Sequence, residues 1–184
     1  GVMLWKLNAA SPSVIWQIYD WYLMPNAGYY FMQRSCDPVH VQLNLNDSNV
    51  VVVNRRHQST GKLTVTAAVF NTAGASLYSR NQTVETGDES LQSAFSLSSV
   101  LKDFKGVSLV WLRLTDASGR EVSRNSYWLS ADRNFTDLHH MKQVKVDIQA
   151  AVKETGSNTV SYSVNITNTE DRPAFFTRLQ LMHG

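Results

Sequence analysis

Val39-His-Val-Gln-Leu-Asn-Leu45 alternates apolar and polar residues without a break. A period of two puts every second side chain on the same face of an extended chain, so this stretch predicts a strand with one buried and one wet face. The same texture continues outward. Val50–Asn54, Leu63–Phe70, Thr83–Glu85, Ser93–Leu97, Val107–Thr115 and Ser123–Leu129 read as further strands, separated by Asn-Asp-Ser, Thr-Gly, Thr-Ala-Gly, Thr-Gly-Asp and Ala-Ser-Gly turns. About seven short strands at turn intervals of this kind predict a mainly β chain whose centre, residues 37–131, is an immunoglobulin-like β-sandwich. Beyond Leu129 a polar stretch, Ser130–His140, precedes two more strand candidates, Val144–Val152 and Thr159–Thr167, and Leu179 and Leu181 hint at a third. So few strands cannot close a sandwich, and residues 132–184 are expected to be the start of a second, partial β-sandwich.

Composition narrows the classes of function. The chain has 184 residues, 43% of them hydrophobic and 17% charged, which is a globular profile able to bury a sizeable core. Seventeen Lys and Arg face fifteen Asp and Glu, a formal charge of +2, and the basic residues are scattered rather than striped. Nucleic acid is therefore not an expected partner. The longest apolar runs, such as Val50–Val53, fall far short of the roughly 18 residues of a membrane span. A single cysteine, Cys36, can form neither an internal disulfide nor a zinc knuckle, and it reads as a small buried hydrophobe.

Residues 1–36 have a different character. Four of the seven Tyr, three of the five Trp and three of the five Met lie in the first 35 residues, beside only two charged residues before Arg34. Val2-Met-Leu-Trp-Lys-Leu7 is the near-continuous apolar run of a strand buried on both faces in a parallel sheet. Asn8-Ala-Ala-Ser-Pro12 and Pro25-Asn-Ala-Gly28 break the chain, and Tyr29–Cys36 is spaced for a helix. The order is strand, long aromatic loop, helix, which is one βα unit.

The chemistry-bearing residues are few. Glycoside hydrolysis ordinarily needs two carboxyl groups flanking the scissile bond, about 5 Å apart when configuration is retained. Asp20 is the only acidic residue before Asp37, and Asp47, Glu85, Asp88, Glu89, Asp116 and Glu121 lie mostly in or beside turns. No Gly-rich phosphate cradle, nucleophile elbow or metal-spaced histidine pair is present, and no cofactor or metal is expected. His139-His140 are adjacent, so on regular structure their side chains diverge. The aromatic cluster Trp5, Trp16, Tyr19, Trp21 and Tyr22 can either pack or stack on a sugar ring. Trp5 and Asn8, at the end of the parallel-type strand, are the better placed for a site, because barrel enzymes build their sites at strand C-termini. Asn46, Asn81, Asn134 and Asn165 open Asn-x-Ser/Thr sequons, which matter only for a secreted eukaryotic product.

Gly1-Val-Met-Leu-Trp-Lys-Leu-Asn8, Ser11-Pro-Ser-Val-Ile-Trp-Gln-Ile-Tyr-Asp-Trp-Tyr-Leu23, Pro25-Asn-Ala-Gly-Tyr-Tyr30, Asp37-Pro-Val-His-Val-Gln42, Val50-Val-Val-Val-Asn54, Gly119-Arg-Glu-Val-Ser-Arg-Asn-Ser-Tyr-Trp-Leu129 and Ala174-Phe-Phe176, in this order, resemble the C-terminal portion of family 2 glycoside hydrolases. The nearest subgroup is the exo-β-D-glucosaminidases, with β-mannosidases and endo-β-mannosidases next. The resemblance implies a modular parent enzyme, in which residues 1–36 are the last strand, loop and helix of a (β/α)8 catalytic barrel, residues 37–131 the following sandwich and 132–184 the beginning of the next. It implies a retaining hydrolase that removes terminal β-linked glucosamine or mannose from a glycan, with both catalytic carboxylates upstream of Gly1 and no catalytic residue in this chain. Trp5, Asn8, Trp16, Tyr19 and Asp20 are then the substrate-binding candidates. Asn8-Ala9 and Ser11-Pro12 stand where β-mannosidases carry an Asn-Asp pair and a Trp before the loop proline, which separates this chain from the plain mannosidase pattern.

The partners implied are a β-linked oligosaccharide and the remaining barrel and sandwich domains, and the location implied is secreted or periplasmic, although no signal-peptide pattern is present. Two other functions fit the same sequence: a sandwich that grips polysaccharide through aromatics on one strand face, although Trp111 and Trp128 sit among positions expected to face the core, and an interaction domain pairing through its edge strands. The apolar surface of residues 1–35 is expected to drive self-association or collapse onto the sandwich.

Overall fold

The computed structural model describes residues 3–13, 16–155, 159–175 and 177–179. Its elements are α1 (Ala27–Ser35), β1 (Val39–Leu43), β2 (Asn49–Asn54), β3 (Lys62–Asn71), β4 (Ser76–Glu85), β5 (Ser90–Ser96), α2 (Ser98–Leu101), β6 (Val107–Asp116), β7 (Glu121–Ser130), a 3-10 helix Thr136–His140, β8 (Val146–Thr155) and β9 (Val160–Asn168). Strands β1-β2-β5 form one sheet, β4-β3-β6-β7 a second, and β8-β9 a separate antiparallel hairpin. The seven strands in two sheets are the expected mainly β, immunoglobulin-like sandwich, with β4 placed beside β3. The chain divides into two compact units, Gly1–Ala67 with Ser79–Ser99 and Trp111–Ser126, and Ala68–Tyr78 with Val100–Val110 and Tyr127–Gly184.

In the first unit the core follows from the alternation. Pairing of Val41 with Val52 and Leu43 with Val50 puts these four on one face, and all are buried with Val65, Leu112 and Leu114. Their removal from water supplies the main favourable term for the fold. The open edges of the sandwich are tied by side chains. Val41 N–H on β1 donates to the Ser123 hydroxyl of β7 at 3.3 Å, and the Arg80 guanidinium of β4 lies 4.9 Å over the Phe95 ring of β5. Ser123→Ala would strand a buried amide, and a stability loss of about 1–2 kcal/mol is expected in urea titration.

The opposite face of β1-β2-β5 departs from the expected wet face, because His40 and Val51 are buried and Val51 is only 2% exposed. The His40 ring lies with Nδ1 2.9 Å from the Asp37 carbonyl oxygen and Nε2 3.2 Å from Gln42 Oε1. Three other expectations are corrected. Cys36 is exposed, because it caps the C-terminus of α1 instead of entering a core. Trp111 is also exposed, since the alternation that buries Val110 and Leu112 on β6 turns it to the other face. The third is β4, which begins at Ser76 rather than Thr83.

The β6–β7 turn is built on Asp116. Its Oδ1 accepts from Ser118 N at 3.0 Å, Ser118 Oγ at 2.6 Å and Arg120 N at 3.1 Å, while Oδ2 pairs with Arg120 Nε at 3.0 Å. The Ser118 hydroxyl first, then the Arg120 and Ser118 amides and the Arg120 guanidinium, bring this carboxyl down to about 2 against partial desolvation. A depressed carboxylate stabilises the fold above its unfolded value, near 4, and that contribution disappears as pH falls through about 2. NMR titration is expected to place the Asp116 midpoint near 2, and Ser118→Ala to raise it.

In the second unit Val69, Val107 and Val110 are buried, and Trp128 meets Phe175 edge to face at 5.6 Å. Hairpin β8-β9 pairs Ile148 with Ile166, Ala150 with Val164 and Val152 with Tyr162, so one face is apolar. Ile148, Val152, Tyr162 and Ile166 are nevertheless exposed. Leu179, where a third strand was hinted, lies in irregular chain, and Leu181 is outside the described residues.

Candidate functional site

The substrate-binding candidates all fall between Met3 and α1, within the first unit. Met3–Leu7 forms no strand, and Met3, at 95% exposure, Leu4 and Leu7 are exposed; Val2 lies outside the described residues. An apolar run becomes a buried strand only when neighbouring backbones take its N–H and C=O groups. Here the extended register survives at one point, a parallel bridge between Asn8 and Tyr19, closed by Tyr19 N donating to Leu7 O at 3.0 Å. Tyr19 also bridges Pro25 in antiparallel sense. Around this point Ala9 and Ile18 are buried, so the loop has a small apolar anchor.

The loop is then fixed to the helix that follows it. Asn26 caps α1 by accepting from Tyr29 N at 3.3 Å, and its amide donates to the Gln17 carbonyl while Asn26 N donates to Ile18 O at 2.9 Å. One residue thus starts the helix and holds the loop. The rings of Tyr19 and Tyr29 lie 5.3 Å apart, and Tyr29 meets Tyr30 edge to face at 5.2 Å. Burial first, and then the Tyr29 hydroxyl bonded to it, push the Tyr19 phenol above its ordinary value, so it stays a neutral donor and acceptor.

Asp20 is committed to its own turn. Its Oδ1 accepts from Tyr22 N and Met24 N, each at 2.9 Å, and Leu23 completes the turn at a φ of 59°. The carboxylate organises backbone and has one oxygen left for a ligand. Trp5 and Trp16 are 72% and 74% exposed, and Tyr22 is exposed as well. The structure therefore brings Asn8, Tyr19 and Asp20 together along one stretch of paired backbone and presents Trp5 and Trp16 as free faces. Sequence reading missed Tyr29, Asn26 and Gln17, whose Oε1 is buried with no donor among the described residues. Only the sequence Asn-Ala-Gly before an aromatic run, a helix-cap pattern, pointed to Asn26. Among the described residues no group of three His, Cys, Asp or Glu could hold a metal ion.

The fold is that of the immunoglobulin-like domains of glycoside-cleaving enzymes. Residues 46–134 match the Mannosidase Ig/CBM-like domain, and residues 125–184 the exo-β-D-glucosaminidase Ig-fold domain. The exo-β-D-glucosaminidase of Streptomyces avermitilis is 31% identical over 99% of this chain and 23% of its own length, and that of Amycolatopsis orientalis is 34% identical over 71% of this chain and 13% of its own. The crystal structure of Amycolatopsis orientalis exo-chitosanase superposes with a TM-score of 0.79 at 28% identity, covering 90% of this chain and 22% of that one. Residues 46–184 thus carry Ig-like domains of the kind found in exo-β-D-glucosaminidases and β-mannosidases. It spans under a quarter of the length of these relatives.

Proposed function

We propose that this chain is the non-catalytic C-terminal region of a retaining family 2 glycoside hydrolase that releases terminal β-linked glucosamine or mannose, its sandwich bracing the catalytic barrel. The observation that carries the reading is Asp20. It is the only acidic residue of the aromatic segment, and its Oδ1 already holds two amides of its own turn. A double displacement needs one carboxylate as nucleophile and a second as acid and then base, so residues 1–36 alone do not complete the reaction.

In this reading residues 1–36 are the last strand, loop and helix of the barrel, 37–131 the bracing sandwich and 132–184 the beginning of a further Ig-like domain. Bracing is supported by the buried outer face of β1-β2-β5, at His40 and Val51, within a unit that also contains residues 3–36. Trp5 and Trp16 offer flat apolar faces to a sugar ring, Asn8 and Tyr19 supply hydrogen-bonding groups, and Asp20 orders the loop that carries them. The same reading makes the parent enzyme secreted or periplasmic. The exposed side chains of Met3, Trp5, Leu7, Trp16, Tyr22 and Leu23 favour self-association of the isolated chain over collapse onto the sandwich, and a chain beginning at Asp37 is expected to sediment as the smaller species.

The test is hydrolysis of p-nitrophenyl β-glucosaminide and β-mannoside by this chain and by the same chain extended upstream to a full barrel. Turnover by the extended protein alone supports the reading and names the sugar. Turnover by the short chain would mean that a carboxylate pair operates within it. In the extended enzyme Trp5→Ala is expected to lower kcat/KM about 10- to 100-fold, a loss of about 1.4–2.7 kcal/mol of transition-state binding. An unchanged value would remove Trp5 from the site.

A further inference from the structure

In the second unit the β3–β4 turn, the end of the 3-10 helix and the chain after β9 surround an open cleft of about 320 Å3, lined by Thr72, Asp137, His140, Met141, Lys142 and Arg172. Its walls are fixed by backbone. Gly74 has a φ of +94°, and a Cβ there would lie 2.7 Å from the Asp171 carbonyl oxygen and 3.1 Å from Arg172 Cα, so the two turns touch main chain to main chain. Asn71 Oδ1 accepts from Ala73 N at 3.0 Å and Ala75 N at 2.9 Å, and Asn168 Nδ2 donates to Arg172 O at 2.6 Å. Both sides of the cleft are therefore held in place before any ligand arrives.

The charges lining it do not balance. Arg172 is half-buried and Lys142 exposed, and among the described residues neither cation has a carboxylate oxygen within 4.0 Å. Asp137, the one carboxylate of the lining, accepts from Val107 N through Oδ2 at 3.3 Å, and the same oxygen sits against Gly106. Partial burial of a guanidinium without an anionic partner is unfavourable, and its planar fork matches the oxygens of a carboxylate or phosphate. Met141 adds an apolar wall, and the volume is at the small end of ligand sites.

We infer that this cleft binds a small oxyanionic ligand, through a carboxylate or phosphate group held between Arg172 and Lys142. It is separate from the aromatic loop and does not depend on the hydrolase reading. The Met141 methyl resonance reports binding, in titrations of the whole chain with inorganic phosphate, glucuronate and glucosamine at constant ionic strength. A saturating shift with phosphate or glucuronate, and none with glucosamine, is expected. Saturation by phosphate alone assigns a phosphate group, and by glucuronate alone a carboxylate. Arg172→Gln and Lys142→Gln are each expected to weaken binding about tenfold. Asp137→Asn keeps an oxygen for Val107 N and removes the opposing charge, so it is expected to tighten binding. Lys142 is exposed, so its variant should fold even if that of Arg172 does not. Linear, unsaturated shifts with both anions, or an unchanged affinity in the folded variants, would overturn the inference.

Discussion

Asn54→Ala is expected to destabilise the first unit by about 3 kcal/mol, lowering its urea midpoint by about 1.5 M at a slope of about 2 kcal/mol/M. Asn54 ends β2 with 1% of its surface exposed. Its Nδ2 donates to Gln58 O at 2.8 Å and Gly87 O at 2.6 Å, and its Oδ1 accepts from Arg56 N at 3.0 Å. One amide therefore ties the loop after β2 to the loop before β5, and truncation leaves three backbone groups to find other partners while opening a void. Asn54→Asp separates the two contributions. It fills the same volume and keeps the acceptor for Arg56 N, but it sets a carboxylate against two carbonyl oxygens. Its cost is expected to match or exceed that of Ala near neutral pH and to shrink in acid, as the carboxyl regains a donor. Equal stability of Asn54→Ala and the native chain would show that the amide's bonds are replaced by water without loss.

Asn54 also marks how far the sequence could be read. Strands β1, β3 and β6 were legible because an alternating apolar face is a local property of a strand, and β2 because its four valines form an unbroken run. β4 was legible only at Thr83–Glu85, since Ser79–Gln82 is polar in both phases and is ordered by a place at a sheet edge that no local pattern encodes. Met3–Leu7 failed in the opposite way. Its apolar run states what the chain would bury, but a strand also needs adjacent backbones, and the described structure supplies only the Asn8–Tyr19 bridge. The candidate loop was legible in composition and not in geometry. Asp20 reads as a carboxylate available for chemistry, yet its bonds to Tyr22 and Met24 depend on the left-handed Leu23, which the sequence does not announce. The Arg172 cleft was invisible for a simpler reason, because Thr72, Lys142 and Arg172 are brought together only by the fold.

Truncating two aliphatic side chains of equal size compares a buried position with an exposed one on the β8-β9 hairpin. Leu112→Ala on β6 removes a side chain with no exposed surface, among Val41, Val52, Val65 and Leu114 on the buried faces of the first unit. A loss of about 3 kcal/mol is expected, the lost transfer free energy plus that of a cavity the neighbouring strands cannot fill. Ile148→Ala on β8 makes nearly the same chemical change, but Ile148 is 55% exposed although it heads the apolar face opposite Ile166. In this chain its cost is expected to stay below about 1 kcal/mol, because most of the removed surface was already in water. The same substitution in the protein extended downstream should approach the Leu112 value, if residues 132–184 begin a sandwich whose other sheet covers this face. A cost that stays low in the extended protein would leave the hairpin without a covering sheet and remove the case for a further Ig-like domain built on it. A high cost already in the short chain would mean that the hairpin face is buried in solution, by self-association or by another part of the same chain, and sedimentation of the variant would separate the two.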